Sequence, residues 1–229
     1  MAEFVEILDS IMGSNKTNGI IRWMDENPDE RYMYVSPLLS EVDRNSRLQT
    51  DLKYINFSFP ESHGEHTKSD DLLEKLRSGT NICCTHSLYL LMDDNHLREI
   101  KDRGYVIIID EELGVIENFD LYSKDDIAYL LEKKDIIISK TDGMISWVGT
   151  EIGGQNKYKQ LSNLCRSKAV YATKRNETMM VTQLPVELFT CAKRVIIMTY
   201  MFSDNILDCF LRLKGVKTKS FCEVSTTIV

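Results

Sequence analysis

Apolar positions along this chain fall into short unbroken runs and longer stretches in which they return every three or four residues. The runs at 4–8, 31–35, 81–85, 105–109 and 194–199 are bounded and too short for helices, so they read as strands. Residues 105–109, Tyr-Val-Ile-Ile-Ile, are apolar throughout, as a strand covered on both faces of a parallel sheet must be. Helical spacing appears at 17–26, 40–51 and 70–78, in stretches through Leu97 and Arg103, and at 204–213. Gly79 and Lys214-Gly215 close two of these. Asn27-Pro28-Asp29-Glu30 and Ser36-Pro37 are breaks, residues 57–70 form a loop rich in Ser, His, Pro and Gly, and the tail at 221–229 is β-prone. Strands alternating with helices predict an α/β fold with a largely parallel sheet. Its ligand belongs beyond the carboxyl edge.

The alternation breaks between about 121 and 184. Residues 135–139 and 144–148 flank Lys140-Thr141-Asp142-Gly143, a hairpin signal, and 158–166 has helical spacing. The expectation is a single lobe spanning 1–229 with an inserted, hairpin-containing α+β element at about 121–184.

Two polar segments stand directly behind apolar runs. Gly13-Ser14-Asn15-Lys16-Thr17 follows the first strand and opens the first helix, whose N–H groups and positive dipole end favour a phosphate. A lysine there reaches the β and γ phosphates, and the Thr17 hydroxyl can hold magnesium. Asn15 stands where such loops usually carry a glycine with positive φ. Asn visits that region at modest cost. Asp110-Glu111-Glu112 follows the strand at 105–109. Asp110 can hold Mg²⁺, and Glu111 can orient and deprotonate a water. Either segment alone is an ordinary strand end. Both together, in this order, point to a nucleoside triphosphate site.

At 229 residues there is room for one α/β domain with an insertion, but hardly for two complete domains of that kind. No apolar segment reaches membrane-spanning length, and the acidic start is unlike a signal peptide. The expectation is a cytoplasmic protein without a membrane partner. None of the six cysteines forms a C-x-x-C pair, so they read as buried reduced thiols. His63 and His66 flank Gly64-Glu65 and read as a polar loop rather than a metal site. The net charge is −7, but from Glu151 onward twelve Lys and Arg face six acids, leaving sixteen against twenty-nine before it. That basic third, Arg194 included, can line a phosphate backbone or merely form solvated helix faces.

With these segments placed, the sequence resembles the N-terminal RecA-like motor lobe of superfamily 2 DEAD/DEAH-box-like helicases, particularly those encoded by bacteriophages. Residues 9–17 look like that family's phosphate loop, and Ile109-Asp110-Glu111-Glu112 looks like its Asp-Glu box. Tyr34-Val35-Ser36-Pro37 and Cys84-Thr85-His86-Ser87-Leu88 fall where its nucleic-acid-contacting motifs belong. Met198-Thr199-Tyr200-Met201-Phe202 resembles the motif that couples hydrolysis to movement. The resemblance implies a RecA-like P-loop ATPase, with ATP bound by Gly13, Ser14, Asn15, Lys16, Thr17, Thr199 and Tyr200. Thr17 and Asp110 would hold Mg²⁺, and Lys16 and Glu111 would carry the chemistry. Ser36, Pro37, Thr85 and His86 would meet single-stranded nucleic acid, DNA rather than RNA, and the location would be the cytoplasm of a phage host. Departures are Asn15, the Asp-Glu-Glu-Leu box, and no room for an upstream glutamine motif. No complete second lobe follows with an arginine finger, so the resemblance implies either a truncated product or a lobe working with a partner chain that supplies the second. The alternatives are a non-catalytic nucleotide-binding or interaction module and a metabolic kinase on a P-loop scaffold.

Overall fold

The structure, a computed structural model, describes residues 3–11, 13–37, 47–150, 157–166, 169–173 and 176–223. The chain divides into two compact units, one of residues 1–113 with 186–229 and one of residues 114–185.

The first unit begins β1 (Val5–Asp9), α1 (Lys16–Glu26), β2 (Arg31–Ser36), α2 (Arg47–Asp51) and β3 (Phe57–Ser58). It continues with α3 (Lys68–Ser78), β4 (Asn81–Thr85), α4 (His86–Tyr89), α5 (Asp94–Arg103) and β5 (Tyr105–Asp110). The second unit holds β6 (Ile116–Asn118), α6 (Lys124–Glu132), β7 (Ile136–Ile138), β8 (Ile145–Trp147), α7 (Lys159–Arg166), β9 (Val170–Thr173) and β10 (Asn176–Gln183). The chain then returns to the first unit with α8 (Glu187–Thr190), β11 (Arg194–Thr199), α9 (Ile206–Leu213) and β12 (Thr218–Ser220).

Seven strands form one sheet in the order β12-β1-β11-β5-β2-β4-β3, and every pairing is parallel. This is the RecA-like α/β architecture expected from the sequence. At the centre of β5, Val106, Ile107, Ile108 and Ile109 are wholly buried, which is why that run carries no polar alternation. On one face Ile20 and Met24 of α1 pack with Tyr32, Tyr34, Ile108, Ile196 and Met198. The sheet ends in very short strands, β3 and β12, which limits the unpaired edge open to other chains.

Helix ends follow local chemistry. Thr67 and Asp70 form a capping box at the start of α3, and Gly79 closes it in the left-handed conformation. Pro37 does not shorten β2, which runs one residue further than expected, to Ser36. The expected helix at 40–51 is described only as α2, because 38–46 lie outside the described residues. β12 lies at Thr218–Ser220, before the β-prone tail, of which 221–223 are in no strand and 224–229 lie outside the described residues.

In the second unit β6, β10 and β9 form an antiparallel sheet, and β7 pairs antiparallel with β8. The unit starts earlier than the expected 121 because β6 pairs with β10. Gly143 ends the β7–β8 turn at φ +80°, and a Cβ there would stand 2.7 Å from the Ala172 carbonyl oxygen, so no other residue fits unstrained. Of the cysteines, Cys83, Cys84, Cys165 and Cys191 are buried thiols, whereas Cys209 and Cys222 are exposed, contrary to the expectation that all would be buried.

Candidate functional site

Strand register brings distant residues into one row. Asp9 pairs with Thr199, Met198 with Asp110, Val35 with Ile109, and Ser36 with Thr85. The carboxyl ends of β1, β11, β5, β2 and β4 therefore align, spanning roughly 19 Å at the usual strand spacing. Every sequence-predicted site residue except Arg194 lies on this edge, in the loops leaving it, or in the first turn of the helix that follows.

The loop after β1 enters α1 through Gly13 at φ +82° and Asn15 at φ 58°, ψ 28°. The left-handed conformation expected of Asn15 is the one observed. In that pose its side chain makes no capping bond to α1. By contrast, Thr67, Thr85, Asp93, Ser123 and Asn205 each cap their own helices. The first N–H groups of α1 thus face the loop without a side-chain cap, the arrangement that suits an anion. Ser14 is buried, and its Oγ has no hydrogen-bond partner among the described residues. A buried hydroxyl in that state costs free energy that an incoming acceptor would recover.

Lys16 Nζ donates to the carbonyl oxygens of Ser10 at 2.6 Å and Thr199 at 2.8 Å. Burial pulls its pKa below the ordinary lysine value, against the attraction of Asp110, Asp9 and Glu111. The ammonium is therefore held by carbonyl oxygens at the ends of the two motif-bearing strands, within the field of three carboxylates.

Asp110 ends β5, and its Oδ2 accepts from the hydroxyl of the fully buried Tyr34 at 2.9 Å. His86 Nε2 donates to the Asp110 carbonyl oxygen at 2.8 Å. Burial lowers the His86 pKa, outweighing that bond and the charge of Glu111, which favours the neutral ring. Glu111 turns the chain out of the sheet at φ 66°, and its N–H donates to the Met198 carbonyl at 2.9 Å. A left-handed glutamate is a strained conformation of the kind retained at functional turns.

The segment after β11 closes the row. Thr199 Oγ1 donates to Glu112 Oε1 at 3.2 Å, and the Asn205 side-chain amide donates to the same oxygen while its own Oδ1 caps α9. The Asp9 carboxylate accepts the N–H groups of Met201 at 2.9 Å and Phe202 at 3.0 Å. Tyr200, the residue before them, is half-exposed. Asp9, Tyr34 and Glu112 lie within the motif segments but were given no role there, and Asn205 lies outside them. Each acts through a partner 76 to 192 residues away, a link visible only in the strand register.

At the other end of the row, Ser36 is fully buried, Pro37 is exposed, and Thr85 Oγ1 caps α4 by accepting from the Leu88 N–H at 3.2 Å. Arg194 is not brought to this edge. It begins β11, roughly 16 Å from Thr199 along the strand. There its guanidinium holds Glu6 at 2.8 and 2.9 Å and Glu223 at 2.9 Å, over the rings of Trp23 and Phe221. Much of the basic third is likewise committed locally: Lys157 pairs with Asp126, Lys193 with Glu30, and Arg212 with Asp204 and Asp208. Lys174 and Arg175 lie outside the described residues.

Magnesium bound with a nucleotide takes one or two protein oxygens, completing its shell from phosphates and water. A carboxylate at the end of β5 and a threonine hydroxyl in the first turn of α1 are donors of that type. Among the described residues no three His, Cys, Asp or Glu side chains converge as an all-protein cage. The donor set suits a phosphate-borne Mg²⁺ rather than a structural metal.

No family model matches the chain. It is 29% identical over 229 residues to the SPbeta prophage-derived uncharacterized protein YonV of Bacillus subtilis (strain 168), covering 97% of this chain and 55% of that one. Among solved structures it is similar to apo XPD, with a TM-score of 0.45 and 15% identity over 96% of this chain and 55% of the other. The chain thus spans about half the length of each. The fold assignment rests on the strand order and registers, not on that structural likeness. No helix among the described residues is long and apolar enough to cross a membrane.

Proposed function

We propose that this chain is a helicase-like ATPase lobe that binds ATP–Mg²⁺ at the Gly13–Thr17 loop and contacts single-stranded nucleic-acid backbone along the neighbouring strand ends. The observation that carries the reading is Lys16. Its ammonium is held by carbonyl oxygens at the ends of β1 and β11, within the field of Asp110, Asp9 and Glu111, beside an uncapped helix N-terminus and an unpartnered buried hydroxyl at Ser14.

In this reading, phosphate oxygens take up the α1 N–H groups and the Ser14 hydroxyl, while Lys16 offsets β- and γ-phosphate charge. Mg²⁺, held by Thr17 and Asp110, supplies charge neutralisation at the phosphates. Tyr34 fixes the Asp110 carboxylate by its 2.9 Å bond. Glu111 accepts the proton of the attacking water. Thr199 reports on the site through Glu112 and Asn205 to α9, and Tyr200 reports with it through the Asp9-held turn. Ser36, Pro37, Thr85 and His86 offer hydroxyl, carbonyl and N–H groups of the sort that grip phosphates without reading bases. The relative encoded by a prophage fits a role in phage nucleic-acid metabolism.

Steady-state ATP turnover with and without single-stranded DNA tests this reading. The expected result is slow hydrolysis that single strands accelerate. Nucleotide binding with no turnover under either condition would instead favour a non-catalytic nucleotide-binding module.

A further inference from the structure

One face of α1 continues the site away from the phosphates. Asn18, Ile21, Arg22 and Asp25 stand at i, i+3, i+4 and i+7 and so share that face. With Asp51 and Lys53 they line a cavity of about 380 Å³. Its lining begins at Asn18, in the first turn of the helix. Asn18 is about 3 Å along the axis from Lys16, and its Nδ2 donates to Asn15 Oδ1 at 3.4 Å, so the cavity lining and the phosphate loop share a hydrogen bond. Ile21, almost wholly buried, gives an apolar floor. Asp25 is fixed in orientation: Oδ1 accepts the N–H groups of Lys53 at 3.1 Å and Tyr54 at 3.2 Å, and Oδ2 accepts that of Lys53 at 3.0 Å. Arg22, Asp51 and Lys53 are exposed around it.

A cleft of this volume, in which charged and amide groups converge around one buried aliphatic side chain, has room and hydrogen-bonding groups for a small polar ligand. We propose that this cavity receives the nucleoside of the triphosphate: a base carrying an exocyclic amine, as adenine does, packs on Ile21 and under the planar guanidinium of Arg22. The amine and the ribose hydroxyls donate to Asp25 and Asp51. Asn18 stands where nucleoside and phosphates join. This assignment rests on the nucleotide reading of Gly13–Thr17 and adds to it the element that separates a nucleotide from a bare polyphosphate.

The test is calorimetric titration of the full chain with ATP–Mg²⁺ and, separately, with magnesium tripolyphosphate. Wild type should bind ATP more tightly than tripolyphosphate. The double variant Arg22→Ala, Asp51→Ala changes two exposed side chains and should lose about tenfold in ATP affinity, about 1.4 kcal/mol, with tripolyphosphate binding unchanged. Asn18→Trp, which puts a bulky ring into the lining, should do the same. Lys16→Ala should weaken both ligands. Retention of the ATP preference by both cavity variants, or equal affinities for the two ligands in wild type, would overturn the nucleoside cavity while leaving the phosphate loop in place. Indifference of both ligands to Lys16→Ala would overturn the underlying nucleotide site instead.

Discussion

Asn15 departs from the familiar phosphate-loop pattern, and its backbone explains why the departure is tolerable. At φ 58° it occupies the region a glycine enters freely, and its side chain gives α1 no cap. Asn15→Gly should therefore preserve or raise ATP affinity in equilibrium titration. A loss would mean that the amide itself shapes the loop through Asn18. His86 gives a second residue-level expectation. Burial holds its folded pKa below the ordinary 6.5, so the unfolded chain takes up this proton first as pH falls. Stability contributed by the neutral ring is present above about 6.5 and declines below it, until the folded-state pKa is passed. Urea unfolding between about pH 5 and 8 should show this slope, and His86→Gln should flatten it; an unchanged slope would assign the titration elsewhere. Lys16, Thr17, Asp110 and Glu111 were legible in the sequence because each lies within a few residues of a strand end. The roles of Tyr34 and Glu112, both within the motif segments, were not. A tyrosine in an apolar run reads as core, and only the β2–β5 register puts its hydroxyl on Asp110.

Among the elements, β11 has different chemistry at its two ends. Its carboxyl end, Thr199, belongs to the candidate site, whereas its amino end, Arg194, ties β1 to the C-terminal segment through Glu6 and Glu223. Charge along the sequence had suggested Arg194 as a nucleic-acid contact, because a one-dimensional count cannot see that Glu6 is its neighbour in the sheet. Arg194→Ala should lower unfolding stability by about 1.5–3 kcal/mol by leaving the buried Glu6 without its main partner. The same variant should leave the salt dependence of single-strand binding unchanged. A flattened salt slope with unchanged stability would return Arg194 to the nucleic-acid surface. The elements that sequence reading placed well were those with local signatures, such as α3 between Thr67 and Gly79. The short edge strands β3 and β12 were missed, because two or three residues at a sheet edge are defined by their neighbours rather than by their own pattern.

For the whole molecule, the parallel sheet was readable from the alternation of apolar runs and helical stretches, since buried parallel strands impose that composition. The order of the strands was not. It decides the function proposed here, because β11 lies between β1 and β5 and so places Thr199 between the lysine loop and the Asp-Glu turn. Nucleotide binding at that junction is the central claim, and Lys16 is its most exposed point. Calorimetric titration of ATP–Mg²⁺ into wild type and Lys16→Ala measures it directly. The account predicts saturable one-to-one binding to wild type and a sharp loss of affinity in the variant with its fold intact by circular dichroism. Equal affinities for the two proteins, or no binding to wild type, would contradict it.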